Sequence, residues 1–168
     1  GSAGEVLTSG ADGPLLDPPL EGFTSMGTLS LAQGAVLDTS AQSAGRIVIR
    51  SGQFTMDDAR LEASTTATAP NAASASAAEA ISIQADTIAL SQGASVITSA
   101  VDGTAGDIRF EAGTLRSNVG PDGGPLSGAA TVTIASRGAG QGGAGSIAIT
   151  GKAEAPAGCD GSSRKFPR

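Results

Sequence analysis

The sequence predicts an all-β fold, a right-handed single-stranded parallel β-helix, on three observations. Short apolar segments alternate with period two, which is strand periodicity. They return in the same order along the chain, at the spacing of a solenoid. Between them lie Gly, Ser, Thr and Ala rather than helix-forming stretches. The chain has four Phe and no Trp or Tyr. A core without large side chains has to be thin and regular, built from stacked aliphatics.

The first alternating phrase, "TLSLAQGAVLDTS" at 28–40, returns nearly unchanged as "TIALSQGASVITS" at 87–99. Between them comes "GRIVIRSGQFTM" at 45–56, with large apolar residues Ile47, Ile49, Phe54 and Met56. "AISIQADTIAL" at 80–90 places Ile81, Ile83, Ile88 and Leu90 at the same offsets. "GDIRFEAGTL" at 106–115 repeats them with Ile108, Phe110 and Leu115, and "SIAI" opens a last copy with Ile147 and Ile149. Each copy reads as two short strands joined by a few small or polar residues.

A third short segment follows each pair: Val36 and Leu37, then Leu61, then Val96 and Ile97, then Val132 and Ile134. It runs into Ser, Thr and Ala and ends in a glycine turn, where Gly permits positive φ. The starts at Ile47, Ile81 and Ile108 are 34 and 27 residues apart. The longer interval contains "TATAPNAASASAA" at 66–78, and a second aperiodic stretch, "SNVGPDGGPLSG", lies at 117–128; both read as inserted loops. Three strands per unit predict one coil per unit. Strands of successive coils pair in parallel, and a full coil supplies the long connection that parallel pairing needs. Right-handedness is the expected hand of such a connection. The rival, an antiparallel sandwich, accounts less well for three strands per unit and loops confined to one corner.

The expected organisation is a β-helix of about five coils over 1–151, then an irregular tail over 152–168. The structural ladder of inward side chains is Ile47, Ile49, Phe54, Met56, Leu61, Ile81, Ile83, Ile88, Leu90, Val96, Ile108, Phe110, Leu115, Ile147 and Ile149. Burial of each contributes roughly 1.5–3 kcal/mol. One coil cannot bury its own inner face, so coils stabilise one another.

Formal net charge is −6, and the body up to Gly151 holds six basic and fourteen acidic residues. That balance opposes nucleic-acid binding, which needs clustered Lys and Arg. No run of about eighteen apolar residues marks a transmembrane helix, and no signal sequence is recognised within the chain. The opening "GSAGEV" reads as mid-phrase, which predicts a section of something longer. Cys159 is the one cysteine and has no partner for a disulfide or a metal.

Four stretches carry a resemblance: "GEV" at 4–6, "MGTLSLAQGAVLDTS" at 26–40, "AGRIVIRSGQFTMDDARLEAST" at 44–65 and "AGDIRFEAG" at 105–113. They resemble filamentous-haemagglutinin-type exoproteins of two-partner secretion systems, in the segment just downstream of the secretion domain. "GRIVIRSGQF" followed by "DDARLEAST" is the more specific part; the shorter "AGxIxI" repeats are generic to such shafts. The resemblance implies a secreted or outer-membrane-displayed adhesin shaft, exported through the periplasm by an outer-membrane transporter partner. It further implies a receptor or glycan on a host or neighbouring cell, a role in adhesion or biofilm formation, and no cofactor. The tail, "KAEAPAGCDGSSRKFPR", departs from the pattern.

The alternative is a carbohydrate-active or carbohydrate-binding β-helix, which needs acidic and basic residues in rows on one outer face. Arg46, Arg50, Arg60 and Arg109 could supply the cations. Asp57 and Asp58 could bind Ca²⁺ or do acid–base work, but "MDDAR" reads as a corner turn. Asp86, Asp102 and Asp107 read as turn or outward positions. "GAGQGGAGS" at 138–146 lacks the Lys-Ser/Thr ending of a phosphate loop and reads as a corner. The Thr residues of "DTS", "TTAT" and "ITS" read as outward and solvated. No catalytic, cofactor or metal residue is expected. The two inserted loops are the expected contact surfaces, because solenoid loops on one flank often carry binding.

Overall fold

The computed structural model describes residues 5–9, 25–68, 79–117, 132–139 and 143–154; of 5–9 and 152–154 only the backbone is described. Ten strands form in chain order: β1 (Glu5–Ser9), β2 (Thr28–Ala32), β3 (Val36–Asp38), β4 (Arg46–Asp57), β5 (Arg60–Glu62), β6 (Glu79–Ser91), β7 (Ser95–Ala100), β8 (Asp107–Ser117), β9 (Thr133–Gly138) and β10 (Ile147–Glu154). From β2 onward they alternate between two sheets. One runs β1-β4-β6-β8-β10 with β2 also on β4, and the other runs β3-β5-β7-β9. Every pairing is parallel except β1 on β4. Strands that skip one position in sequence to pair in parallel describe a coil, and the chain is a parallel β-helix.

The two short strands expected at the start of each coil are one long strand. β4, β6 and β8 each run through an elbow without leaving the ladder, because the elbow residues are small. Ser51 pairs with Ala85, and Ala85 with Ala112. The next position is Gly52, Asp86 and Gly113 on successive rungs. A Cβ on Gly52 would lie 2.4 Å from the Met26 carbonyl oxygen, so glycine lets the neighbouring backbone close in there.

Inside the coil the register is that of identical offsets. Ile47 pairs with Ile81, Ile81 with Ile108, and Ile108 with Ile147. Ile49, Ile83, Phe110 and Ile149 form the next column, and Phe54, Ile88 and Leu115 the one after. Leu31, Met56 and Leu90 share a fourth column, and Leu37, Leu61, Val96 and Ile134 a fifth on the second sheet. Of the expected ladder, Ile47 through Phe110 are sealed from solvent and Leu115 is partly buried against the core. Ile147 and Ile149 keep the register but are 43% and 52% exposed. They face inward on the last described rung, where no further rung covers them.

The repeated phrase at 28–40 and 87–99 is a repeated corner. In both copies a backbone bond closes a four-residue turn, Ala35 N to Ala32 O at 3.1 Å and Ala94 N to Ser91 O at 3.0 Å. The two central residues have positive φ: Gln33 58° and Gly34 76°, Gln92 47° and Gly93 86°. These are type I′ turns. The intervening coil turns one residue sooner, on Asp58 alone, at φ 47°.

Two expectations need correction. β1 pairs antiparallel with the first half of β4 while β2 pairs parallel with the second half, so the start of the chain closes the edge of the first arm rather than adding a coil. Such a strand occupies a sheet edge that would otherwise stand open. The Thr residues are not all outward. Thr65 and Thr98 are buried, and the Thr98 hydroxyl donates to the Gly106 carbonyl at 2.7 Å. That bond satisfies the hydroxyl, so it can sit inside the coil.

Candidate functional site

Outward residues stack in columns as the inward ones do. The column next to the elbow is Arg50, Gln84, Glu111 and Thr150, on four successive rungs. It forms one wall of a groove of about 440 Å³. The elbow itself, with the small residues Ser51, Ala85 and Ala112, forms its floor, and Asp86 also lines it. Met26 closes the N-terminal end, held by the Gly27 carbonyl, which accepts from Gly52 N at 2.9 Å. The groove therefore runs along the helix axis, with rungs spaced about 4.8 Å apart.

One group in this lining is unsatisfied. Ser51 is 5% exposed, and its hydroxyl is buried with no hydrogen-bond partner. A buried unmet hydroxyl costs about 1–3 kcal/mol.

The sequence singled out Arg50 but not Gln84, Glu111, Thr150, Ser51 or Met26. Their alignment depends on coil register, and loops of unequal length hide that register in a linear reading. The other cations lie elsewhere. Arg46 pairs with Glu79 one coil on, Arg60 with Glu62, and Arg109 with Glu111. Arg46 and Arg109 do not share a row, since Arg109 is level with Ser82 and Val48.

Asp57 and Asp58 occupy the corner as expected. The Asp57 carboxylate accepts from the Ser91 hydroxyl at 3.2 Å and from Gln92 Nε2 at 3.4 Å, which ties one corner to the next. Among the described residues no three His, Cys, Asp or Glu side chains gather as a metal site. Asp107 accepts from Ser146 N at 2.6 Å. Within 138–146, Gly145 N donates to the Ser136 hydroxyl at 2.8 Å, a corner contact.

The third corner has its own polar ladder. Ser64 N donates to the Ser40 hydroxyl at 3.0 Å, and the Ser99 hydroxyl donates to that of Ser64 at 2.8 Å. Asp38 accepts from Ser40 N at 2.7 Å. The Ser40 hydroxyl, that amide and then the Arg60 charge hold the Asp38 carboxyl below its ordinary value, against the opposing effect of partial burial.

The parts of the two expected contact loops at 69–78 and 118–128, and Cys159, lie outside the described residues. No helix among the described residues is long and apolar enough to cross a membrane. The sequence matches no known family model, and neither a curated protein nor a solved structure matches it significantly.

Proposed function

We propose that this chain is a section of the shaft of a secreted, surface-displayed adhesin of the filamentous-haemagglutinin kind. The observation that carries the reading is the inner ladder, which keeps register through coils of unequal length. A stack of this kind lengthens one rung at a time, and each added coil buries the inner face of the one before. Insertions at a corner leave the ladder undisturbed, so the rod can vary outside while its interior repeats. This is the physical requirement for a long projecting shaft, and it agrees with the resemblance carried by "GRIVIRSGQF" and "DDARLEAST". In this reading no residue is catalytic, no cofactor is needed, and an outer-membrane transporter partner exports the chain through the periplasm to the cell surface. There it holds contact surfaces away from the cell.

Protease shaving of intact cells expressing the full gene, with and without the candidate transporter, tests the reading. Transporter-dependent release of the peptide spanning 61–109 is expected. Retention of that peptide inside the cell in both cases contradicts it.

A second reading, a carbohydrate-binding β-helix, is favoured by one observation, the polar groove along the elbow.

A further inference from the structure

We infer that the elbow groove binds a short, extended, uncharged oligosaccharide, laid along the coil axis with about one sugar unit per rung. The inference rests on the extracellular reading only for where such a glycan is met; binding itself belongs to the groove.

Three features of the groove select this ligand class. Its volume, about 440 Å³, lies in the range of small-molecule sites. Its wall offers a hydrogen-bonding side chain on every rung, Arg50, Gln84, Glu111 and Thr150 in one column. Asp86 adds a carboxylate to the lining. Carboxylate, amide, guanidinium and hydroxyl groups together supply both donors and acceptors, as a polyol requires on each of its units. Its floor of Ser51, Ala85 and Ala112 carries no bulky side chain, so a flat sugar face can approach the backbone closely.

Other ligand classes fit less well. An extended peptide binds by adding a strand to a free edge. β4, β6 and β8 have none, because each is paired on both sides. The charges of the lining are close to balanced, Arg50 against Asp86, with Glu111 paired to Arg109, so an anionic glycan finds no surplus of cations. A cationic ligand would meet that Arg50. The neutral chain is the occupant that this charge pattern admits.

The test is an amide-resolved NMR titration of the complete purified chain. The probes are β-1,4-linked glucose, mannose and galactose tetraoses, with tetragalacturonate and a neutral octapeptide beside them. A neutral tetraose is expected to shift the amides of residues 50–52, 84–86 and 111–113 and to saturate at millimolar concentration or below. The paired variant Gln84→Ala with Glu111→Ala is expected to weaken that binding at least about tenfold. Its remaining spectrum should stay unchanged, and Arg60→Ala on the other sheet should bind as the parent does. Silence of the elbow amides towards all three neutral tetraoses overturns the inference. So does a response only to tetragalacturonate or the peptide, or unweakened binding by the paired variant. Because the purified chain is used, either outcome leaves the export experiment to be decided separately.

Discussion

Ile83 and Ile149 stand in one inward column two rungs apart, yet Ile83 is sealed and Ile149 is 52% exposed. Their surroundings differ only in what lies beyond. Among the described residues, Ile83 has Ile49 on one side and Phe110 on the other, whereas Ile149 has Phe110 on one side alone. A solenoid side chain is stabilised by its neighbours above and below, so position in the stack sets its contribution. Ile83→Ala is expected to cost about 2–5 kcal/mol, the range for a large aliphatic cut to Ala in a packed core. Ile149→Ala should cost under about 1 kcal/mol. Urea unfolding of the two variants measures the difference. Equal costs would contradict the ladder.

Two glycines separate backbone conformation from crowding. Gly93 has φ 86°, and a Cβ there would approach nothing closer than Asp58 Oδ1 at 3.8 Å. Gly93→Ala therefore carries the left-handed backbone cost alone, roughly 1–2 kcal/mol. Gly52 does not have positive φ, but its Cβ would meet the Met26 carbonyl oxygen at 2.4 Å. Gly52→Ala should displace the Met26–Gly27 segment. Its signature is faster hydrogen exchange at Gly52 and Gln53, whose amides donate to the Gly27 carbonyl. Gly93→Ala should leave those amides protected.

Much of this fold was legible because inward alternation is a local property. Ile47, Ile49, Phe54 and Met56 announce a buried face whatever lies beside them, and the same offsets in the next copies announce stacking. What lay hidden was whatever depends on non-local register. The groove column from Arg50 to Thr150 unites residues scattered over four coils, and "RSGQ" or "QADT" alone marks a joint between short strands but not which residues line up beside it. β1, "EVLTS", has two adjacent apolar residues and no period-two pattern, so neither the strand nor its reversed direction left a sign. Thr98 was misread because polarity was weighed above period. Val96, Thr98 and Ala100 alternate inward together, and the Gly106 carbonyl that receives the hydroxyl lies beyond the turn.

Ser51→Ala removes a buried hydroxyl that has no partner. Deleting an unsatisfied group removes its desolvation cost, so the variant should be as stable as the parent or up to about 1 kcal/mol more stable. Thermal unfolding followed by circular dichroism checks this. A clear loss of stability would show that the hydroxyl is bonded in solution.

Asp38 supplies an acid-sensitive contribution. Hydrogen bonds from the Ser40 hydroxyl and amide, with the Arg60 charge, lower its folded-state pKa. A depressed carboxyl binds its proton more readily unfolded than folded. Its stabilisation is therefore complete above the unfolded-state pKa and is lost as pH falls through the folded value. NMR titration should place the Asp38 carboxyl below an ordinary aspartate, and Ser40→Ala should return it upward. An unshifted Asp38 in the parent would contradict the corner geometry.

The stacking of one coil per repeat is the claim on which the shaft and the groove both depend. Methyl–methyl NOEs in a chain labelled at isoleucine δ1 carbons test it most directly. The coil predicts contacts from Ile47 to Ile81, Ile81 to Ile108 and Ile108 to Ile147, with Ile49 touching Ile83. An antiparallel sandwich would pair sequence-adjacent strands instead. Contacts between residues of adjacent strands, with the Ile47–Ile81–Ile108 series missing, would contradict the β-helix and everything built on it.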